Sequence, residues 1–464
     1  MKSRPEYLQM ILNNITQATF DDLAEDAVEN VKRRLIDISG CIIGGMFGFK
    51  NKELAEMLFD WGGKEEALVF MYGKRIPVVN AGFINCILAR SYDYGTIRCH
   101  VKDIFLPSHM SETTVPTTMT LADMTQCSGK EAAVAMLLGD DFAGRMLAAS
   151  GFGFAGGWDN VGQINSFGAT VIASRLLKLN QQQSAQALGI CLNQICGTFQ
   201  AIYDGTSSFK LLQGYASRNG ILSANLAKIG ETGAEDPLLS RFGYYAKYTG
   251  GCERPELLTE DMGKVFYYED TFKSYSCCRS THDAIEATLK LVSENQFDVE
   301  DIDKVVLLLP QFVLDMFVAQ PFEIRYAPQI DAAFNVRYCT ANVLMRKSIE
   351  LEHFTEKMVL DPKLHELIKR IDLVELKNPF TIDLGAGIRV YMKDGTELKA
   401  DVDFPKGEPG LSEATKEEII SKFWRNVDFS SAISKEKGQK ILDTIDNLEN
   451  LENFRELTDL LIAD

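Results

Sequence analysis

The stretch IRVYMKDGTELKADVDF, residues 388–404, decides the fold because it is the clearest β pattern in a chain that otherwise reads as helix. Residues 388–392 and 398–404 each alternate apolar and polar side chains, and a Lys-Asp-Gly turn signal lies between them at 393–395. This pattern predicts an antiparallel hairpin with one buried face.

The surrounding sequence predicts that the hairpin belongs to a small α/β domain. Residues 304–310 (KVVLLLP) form a β-like run, and helical patterns occupy 281–295 and 332–346. The hydrophobic pattern changes after about residue 268, and the Gly- and Pro-rich segment 406–410 interrupts it again. We therefore expect an α/β domain over 268–408.

The rest of the chain predicts helices. Apolar residues recur at helical spacing from Asp21 to Ile43, and Ser128 with Glu131 forms a capping-box pattern before an alanine-rich run. Helices this rich in Ala and Gly are typical of the interior of a large helical domain. The predicted fold class is mainly α with an α+β insertion: an all-helical domain over 1–267 and 409–464, plus the smaller α/β domain.

Composition excludes several functions. The 464 residues include 65 acidic and 48 basic side chains, a net charge of −17, which disfavours a nucleic-acid partner. No stretch approaches the length of a membrane span, and the N-terminus lacks the pattern of a secretion signal, so we expect a cytoplasmic protein without a membrane partner. The ten cysteines are scattered, as in a reduced protein that buries them as small apolar residues.

The stretch KSYSCCRSTHDA, residues 273–284, is the densest group of chemically active side chains. Its adjacent cysteines lack the spacing of a zinc site and would strain a disulfide. Ser280 can cap a following helix, which would place Lys273 and Arg279 at a helix N-terminus that favours anions. Two interpretations stay open, a carboxylate- or phosphate-binding pocket and a capped helix whose cations face solvent.

A second candidate is the polar loop over residues 91–112, which contains Asp93, Thr96 and His109. A carboxylate and a histidine in one loop can perform acid–base chemistry, although a polar loop with helix caps explains the same residues. A third candidate is the turn-rich segment that ends at Lys210.

Two apparent cofactor motifs fail in their context. Residues 151–156 match GxGxxG but follow a helical stretch and have no acidic residue about 20 positions later, so no dinucleotide is expected. His365-Glu366 begins a zinc-protease motif, but lysine stands where the second ligand belongs.

Taken together, these segments occur in an order that resembles the MmgE/PrpD family. That family includes 2-methylcitrate dehydratase, cis-aconitate decarboxylase and iminodisuccinate epimerase. The matching pieces span most of the chain: Asn85–Ala89 with Asp93-Tyr94, Ser108-His109 with Pro116, Ser166–Ala169 with Arg175–Leu179, Gln186–Ile190 with Gly197, Lys210 with Gly214 and Gly220, Lys273–His282, and Ala333-Phe334 with Tyr338.

The resemblance implies a helical domain built from both chain ends with the α/β domain as a lid, a homodimer, and cofactor-free chemistry without metal on small polycarboxylates. It assigns proton transfer to Asp93 and His109, carboxylate binding to Lys210 and Lys273, and leaving-group assistance to Tyr338. We add residues that charge, position or polarity favours for substrate binding, namely Thr96, Arg279, His282 and Arg337.

The chain departs from the family pattern at three places. Gly95-Thr96 stands where members carry a second acidic pair, and Asp159 and Leu212 stand where members carry histidines. The expected function is therefore a lyase that dehydrates or decarboxylates a small hydroxy-di- or tricarboxylate. Alternatives are an epimerase or isomerase of a small dicarboxylate and a non-catalytic carboxylate-binding relative.

Overall fold

The structure is a computed structural model that describes residues 4–150, 157–377 and 384–464. The GxGxxG match at 151–156 lies outside the described residues.

Helices from both ends of the chain build one large core. Its buried residues run from Leu8 to Phe272 and resume from Ile419 to Leu461. The α-helices of the first stretch are α1 (Glu6–Gln17), α2 (Glu25–Gly45), α3 (Asn51–Trp61), α4 (Val78–Arg90), α5 (Ser111–Thr125), α6 (Gly129–Ala149), α7 (Asn160–Leu176), α8 (Gln181–Cys191), α9 (Gln200–Tyr203) and α10 (Leu211–Lys228).

Small residues let the central helices of this core approach closely. A Cβ added at Gly220 of α10 would lie 2.5 Å from the carbonyl carbon of Ala169 in α7. One added at Gly214 would lie 2.6 Å from the carbonyl oxygen of Phe83 in α4. The Ala- and Gly-rich composition that predicted a buried helical interior thus acts at backbone-to-backbone contacts.

A second core forms from Ile202, Phe209 and residues between Tyr275 and Ala400. Its helices are α11 (His282–Glu294), α12 (Gln311–Leu314), α13 (Pro328–Ala333), α14 (Val336–Arg346), α15 (Glu356–Val359) and α16 (Pro362–Ile368). The chain then returns to the first core and ends with α17 (Lys416–Ser430), α18 (Lys435–Asp446) and α19 (Arg455–Thr458).

Three small sheets accompany the helices. The strands are β1 (Ala67–Val69), β2 (Lys74–Ile76), β3 (Ile97–Val101), β4 (Ile104–Leu106), β5 (Glu269–Thr271), β6 (Ile302–Leu309), β7 (Ile371–Glu375), β8 (Ala386–Met392) and β9 (Glu397–Val402). Their sheet orders are β1-β2, β4-β3-β5 and β7-β6-β8-β9, with only β6 and β7 parallel among the paired strands described.

The predicted hairpin is confirmed as β8 and β9. Ile388 pairs with Ala400 and Val390 with Leu398, and the alternate residues Ile388 and Val390 are fully buried. Gly395 occupies the turn with a φ of +91°, a conformation that glycine adopts without strain. The hydrophobic alternation therefore gives the correct register and the correct buried face.

The prediction of a mainly helical chain with a smaller α/β domain is also confirmed. The change between the two cores falls between Phe272 and Tyr275 and again between Ala400 and Ile419. The exact boundaries at 268 and 408 stay predictions.

One local prediction is wrong. Ser280 does not cap α11: Thr281 precedes the helix without a side-chain cap, and the Ser280 hydroxyl lies 3.5 Å from the sulfur of Met316. Residues 279–281 form a short 3₁₀ turn that leads directly into the helix, so the sequence signal for a cap is not used.

Two further observations concern the chain as a whole. The ten cysteines are free thiols, and seven of them are buried. In the described part of the chain, no helix combines the length and the apolar character needed to cross a lipid bilayer.

Candidate active site

Arg90 is the centre of a buried group of charged side chains at the C-terminal end of α4. Its Nη1 donates to the Asp93 carboxylate, to Oε2 of Glu112 at 2.8 Å, and lies 2.9 Å from Nδ1 of His109. We call Arg90, Asp93, His109, Glu112 and Lys273 the Arg90 cluster. The helix end, the loop after it and the N-terminus of α5 bring four of these five residues together.

Lys273 reaches the cluster from the segment between β5 and α11. Its ammonium lies 2.9 Å from Oδ2 of Asp93 and donates to the Asp93 backbone oxygen at 2.8 Å. Lys273 and Asp93 are each only 1% exposed. The structure therefore brings Asp93, His109 and Lys273, three of the candidate residues from the sequence, into one cluster.

Asp93 is poorly placed to move protons. Arg90 engages one carboxylate oxygen and Lys273 the other, so both oxygens are held by cations. Its backbone also has a φ of +48°, a left-handed conformation that points to a tightly defined turn. This geometry makes Asp93 an electrostatic anchor for Lys273.

His109 is the accessible member of the cluster, with 28% of its side chain exposed. Packing around the ring, together with the positive charges of Arg90 and Lys273, lowers the pKa of His109 well below its usual range. The ring is therefore neutral near pH 7. Because a guanidinium can only donate, Nδ1 accepts from Arg90 and the ring proton lies on Nε2.

Glu269 of β5 holds the backbone on both sides of His109. Its carboxylate accepts from the Ser108 hydroxyl at 2.7 Å, from Met110 N at 2.6 Å and from Ser111 N at 2.8 Å. Burial raises the pKa of Glu269 to about 7. The negative end of this side chain lies at the N-terminus of α5, where the helix dipole favours it.

Thr96 has a structural contact in place of the predicted substrate contact. Its hydroxyl and its backbone N–H both donate to Oδ2 of Asp37, at 2.8 and 3.0 Å. Lys422 of α17 in turn lies 2.6 Å from Oδ1 of Asp37 and donates to the Tyr94 carbonyl. Helix α17 thereby fixes the loop that carries Asp93.

Lys210 is a buried lysine at the start of α10, 4% exposed. It donates to Oδ1 of Asn51 at 2.6 Å and to the Phe49 carbonyl. Burial lowers the pKa of Lys210 to about 7. One turn further along α10, Gln213 donates to the His109 carbonyl at 3.1 Å, which places Lys210 on the same helix face as a contact of the Arg90 cluster.

Arg279 and His282 lie together at the start of α11. Arg279 donates to Oε2 of Glu408 at 2.5 Å and to the Lys406 carbonyl at 2.7 Å, and its Nη1 lies 3.2 Å from Nδ1 of His282. Arg98 of β3 donates to both oxygens of the same Glu408 carboxylate, at 2.8 and 2.9 Å. Of the two interpretations left open by the sequence, the one in which the cations face solvent is wrong for Arg279, which is buried and paired.

The structure does not bring Tyr338 and Arg337 into the Arg90 cluster. The Tyr338 hydroxyl donates to the His353 carbonyl, and its ring packs against Phe354 in the second core. Arg337 donates to the backbone oxygens of Ala319 at 2.6 Å and Ile371 at 3.2 Å. Both side chains make contacts that stabilise the α/β domain itself.

Asp93, His109 and Glu112 could supply ligand atoms that lie within 4.8 Å of one another. Each of these residues already contacts Nη1 of Arg90, so a guanidinium occupies the position that a cation would take. A metal ion would have to displace Arg90, and the donor set therefore does not fit a resident metal.

A cavity of about 260 Å³ lies beside Lys273, between its segment and α17. Its lining includes Lys406, Lys422 and Arg425 and one acidic residue, Glu418. The cavity has the size for a small anion, and its walls carry mostly positive side chains.

The departures from the family pattern also have local roles. Asp159 caps α7 by accepting from Val161 N at 3.0 Å, and burial raises its pKa to about 6. Leu212 is buried in α10.

Sequence reasoning missed Arg90, Glu112, Glu269 and Glu408. Arg90 could have been found, because a lone arginine ends an apolar helix three residues before Asp93. Glu112 lies three residues after His109, which puts it on the same face of the helix start. Glu269 and Glu408 have no such signal, since their partners lie far away in the chain.

The protein thus combines a helical core from both chain ends, a smaller α/β core between them, and a buried cluster of cations, carboxylates and one histidine. Comparison with known families is specific. Residues 9–256 match the MmgE/PrpD N-terminal domain and residues 275–450 match the MmgE/PrpD C-terminal domain. The chain belongs to the MmgE/PrpD family.

Curated relatives are distant. The cis-aconitate decarboxylase-like protein oryM of Aspergillus oryzae is 25% identical over 98% of this chain and 97% of its own length. The cis-aconitate decarboxylase of Mus musculus is 25% identical over 76% of this chain and 72% of its own. The mitochondrial 2-methylcitrate dehydratase of Yarrowia lipolytica is 23% identical over 56% and 52%. These relatives have lyase names, which supports a lyase-type family.

Proposed function

We propose that this protein is a cofactor-independent lyase that removes water from a small hydroxy-di- or tricarboxylate. The observation that carries the proposal is His109, a neutral, half-buried imidazole surrounded by the cations Arg90 and Lys273. Cations bind and neutralise carboxylates, and a neutral donor beside them stabilises the enolate that forms when a proton leaves the adjacent carbon.

In this mechanism Lys273 binds a substrate carboxylate. Its ammonium donates to the Asp93 backbone oxygen at 2.8 Å and lies 2.9 Å from Oδ2 of Asp93, and its remaining hydrogens would serve the substrate. The Nε2 proton of His109 donates to the carboxylate oxygen on which negative charge develops. Asp93 orients Lys273 through the backbone hydrogen bond and the ion pair.

Lys210 serves as the base. A pKa of about 7 leaves much of its amine neutral at physiological pH, and its two hydrogens go to Phe49 and Asn51 while the lone pair stays free. The amine takes the proton from the carbon next to the carboxylate, the C–O bond to the neighbouring hydroxyl breaks, and the same proton passes to the departing hydroxide. Water and an alkene form, and Lys210 returns to its neutral state.

Decarboxylation is the second candidate. The relative that covers 98% of this chain is named a cis-aconitate decarboxylase-like protein, and that similarity favours it. The same cations would hold the remaining carboxylates while one carboxylate leaves as carbon dioxide, and Lys210 in its protonated form would protonate the carbanion.

The test is a panel of hydroxy-di- and tricarboxylates and cis-aconitate, followed by NMR in deuterium oxide. Dehydration yields an alkene signal, decarboxylation yields carbon dioxide and a product deuterated at the former carboxylate position, and epimerisation yields deuterium at the stereocentre without an alkene. Binding without turnover of any compound would contradict the lyase proposal and favour a carboxylate-binding protein.

Variants of His109 test the site. His109→Ala removes the donor, and we expect turnover to fall by about 100-fold or more, the usual cost of one such donor. His109→Gln restores an N–H and should recover part of this loss. The matched control is His100→Gln: His100 lies in the β3–β4 hairpin that leads to His109 but pairs with Asp270 at 2.9 Å. Unchanged turnover in His109→Ala would refute the assignment.

The homodimer that the family resemblance implies belongs to the same proposal. Light scattering of the purified full chain tests it, and a monomeric mass at micromolar concentration would contradict it.

A further inference from the structure

Glu408 makes an unusual set of contacts for a residue in a connecting segment. It lies in the irregular stretch between β9 and α17, yet it is only 5% exposed. Arg98 donates to both of its carboxylate oxygens and Arg279 donates to Oε2 at 2.5 Å. Two guanidinium groups thus grip one carboxylate by three charge-assisted hydrogen bonds, the geometry by which proteins recognise free carboxylates.

The three residues come from three separate parts of the chain. Arg98 belongs to β3 and to the hairpin that leads to His109, Arg279 lies just before α11, and Glu408 lies on the segment that returns to the helical core. The pair of arginines therefore sits where the two cores meet, and the carboxylate is supplied by a segment outside both.

Only one carboxylate, that of Glu408, is hydrogen-bonded to the two guanidinium groups among the described residues. The neighbouring Asp283 accepts from Gly385 N at 2.8 Å instead, and burial raises its pKa. Two buried donors also remain without a hydrogen-bond partner among the described residues, Nε of Arg279 and Nε2 of His282. Nδ1 of His282 contacts the guanidinium, which only donates, so the proton of the neutral ring lies on Nε2.

One member of the arginine pair, Arg98, is close enough to His109 to influence its pKa. Arg98 is one of the cations that lower the pKa of His109, and Lys273 acts on both His109 and His282. Lys273, Arg98 and Arg279, each paired with a carboxylate, thus lie along one path from the Arg90 cluster to the start of α11.

We propose that Arg98 and Arg279 form a second carboxylate-binding subsite, and that Glu408 is its internal occupant, which a carboxylate of the substrate replaces. The inference rests on the proposed function, because it supplies the second anchor that a di- or tricarboxylate needs beside Lys273. Arg98 and Glu408 would then set the affinity for small di- and tricarboxylates.

The returning segment links this replacement to Lys273. Gly407 has a φ of +81°, and a Cβ added there would lie 2.2 Å from the carbonyl oxygen of Phe272, the residue before Lys273. The segment that carries Glu408 thus packs directly against the backbone that carries Lys273, and the two subsites are neighbours in the fold.

Calorimetric titration of the full chain with tricarballylate, a tricarboxylate without a hydroxyl group, tests the inference. Glu408→Gln removes the internal carboxylate charge, and we expect tricarballylate to bind about tenfold more tightly or better, the scale of one charge-assisted hydrogen bond. Glu413→Gln is the matched control, because it makes the same charge change at an exposed residue of the same segment. The double variant Arg98→Gln/Glu408→Gln should lose the gain.

Every outcome of the titration either supports or overturns the inference. Equal affinity in folded Glu408→Gln and wild type would overturn the inference, as would an equal gain in Glu413→Gln, since that gain would reflect overall charge. If Glu408→Gln does not fold, Arg98→Gln alone decides: it should weaken tricarballylate binding about tenfold, and unchanged binding would overturn the inference.

Failure of the inference is separable from failure of the proposed function. Lys273→Met should abolish tricarballylate binding and turnover if the proposed function is correct. Loss in Lys273→Met with no gain in Glu408→Gln would leave the lyase proposal standing and remove only the second subsite. Full turnover in Lys273→Met would remove the proposed function itself.

Discussion

Replacing Lys210 by methionine should abolish activity. Relative to the wild type, the variant should be more stable at neutral pH than at high pH. Methionine keeps the length of the side chain and removes the amine. Because Lys210 is buried and its pKa is about 7 in the folded state, the folded protein resists the protonation that the unfolded chain accepts readily.

The size of the effect follows from the two pKa values. Lysine has an ordinary pKa of 10.5, and that of Lys210 in the folded state is about 7. Between these values the unfolded chain binds more protons than the folded chain, so wild-type stability rises as the pH rises from 7 to 10.5. The difference of about 3.5, at about 1.36 kcal/mol per pH unit, gives roughly 5 kcal/mol as an upper scale.

Urea unfolding of wild type and Lys210→Met at several pH values measures this. The methionine leaves the Phe49 carbonyl and Asn51 Oδ1 without the amine, a cost that does not depend on pH. The difference in unfolding free energy between the two proteins should therefore shift toward the wild type by several kcal/mol between pH 7 and pH 10.5. Lys228→Met, an exposed lysine at the other end of α10, is the control and should show no such shift.

The same pKa should govern the rate. As the base, Lys210 must be neutral, so kcat/KM should rise through about pH 7 and level off above it. Lys210→Met should lose at least about 100-fold in turnover. The reasoning is refuted if the stability difference is independent of pH, or if Lys210→Met retains wild-type turnover and the wild-type pH profile.

Three further perturbations test the packing around the site. Asp140→Asn removes the charge that pairs with the fully buried Arg34 at 2.6 Å, and the free energy of unfolding measured in urea should fall by about 3–5 kcal/mol. Gly45→Ala would place a Cβ 2.0 Å from the Leu88 carbonyl oxygen between α2 and α4, and we expect thermal unfolding to show a loss of about 2 kcal/mol or more. Thr96→Val removes the hydroxyl that donates to Asp37 at 2.8 Å, and turnover should fall while tricarballylate affinity changes little.

The secondary structure could be predicted where its signal is local. The alternation at 388–402 and the helical spacing that predicted α2 both reflect one buried face of a single element, so the sequence alone contains the information. The start of α11 was less predictable: a serine in a capping position competes with other contacts, and Ser280 lies against Met316.

The candidate site was predictable only in part, for the same physical reason. Asp93 and His109 share a loop rich in polar residues, and Lys273 lies in a stretch with a family resemblance. The residues that position them are acids whose partners lie far away in sequence: Glu269 is 161 residues from Ser108, and Glu408 is 310 residues from Arg98. No local pattern distinguishes such an acid from a solvated one.

Charge balance explains why the cations near the Arg90 cluster cannot all be free to bind substrate. Arg90 and Lys273 are matched by Asp93 and Glu112, and the neutral His109 adds no charge. A substrate with two or three carboxylates thus meets a cluster that is already neutral, and it gains little from long-range attraction there.

The positive charge for such a substrate has to come from elsewhere in the chain. Lys210 supplies it only in its protonated form, which the negative charge of a bound substrate would favour. A further group of cations in the described residues near the cluster is the pair of Arg98 and Arg279, with Glu408 between them. Lys273 therefore supplies the anchor without which a polycarboxylate does not bind, and the arginine pair adds affinity because an incoming carboxylate exchanges there with one of the protein's own.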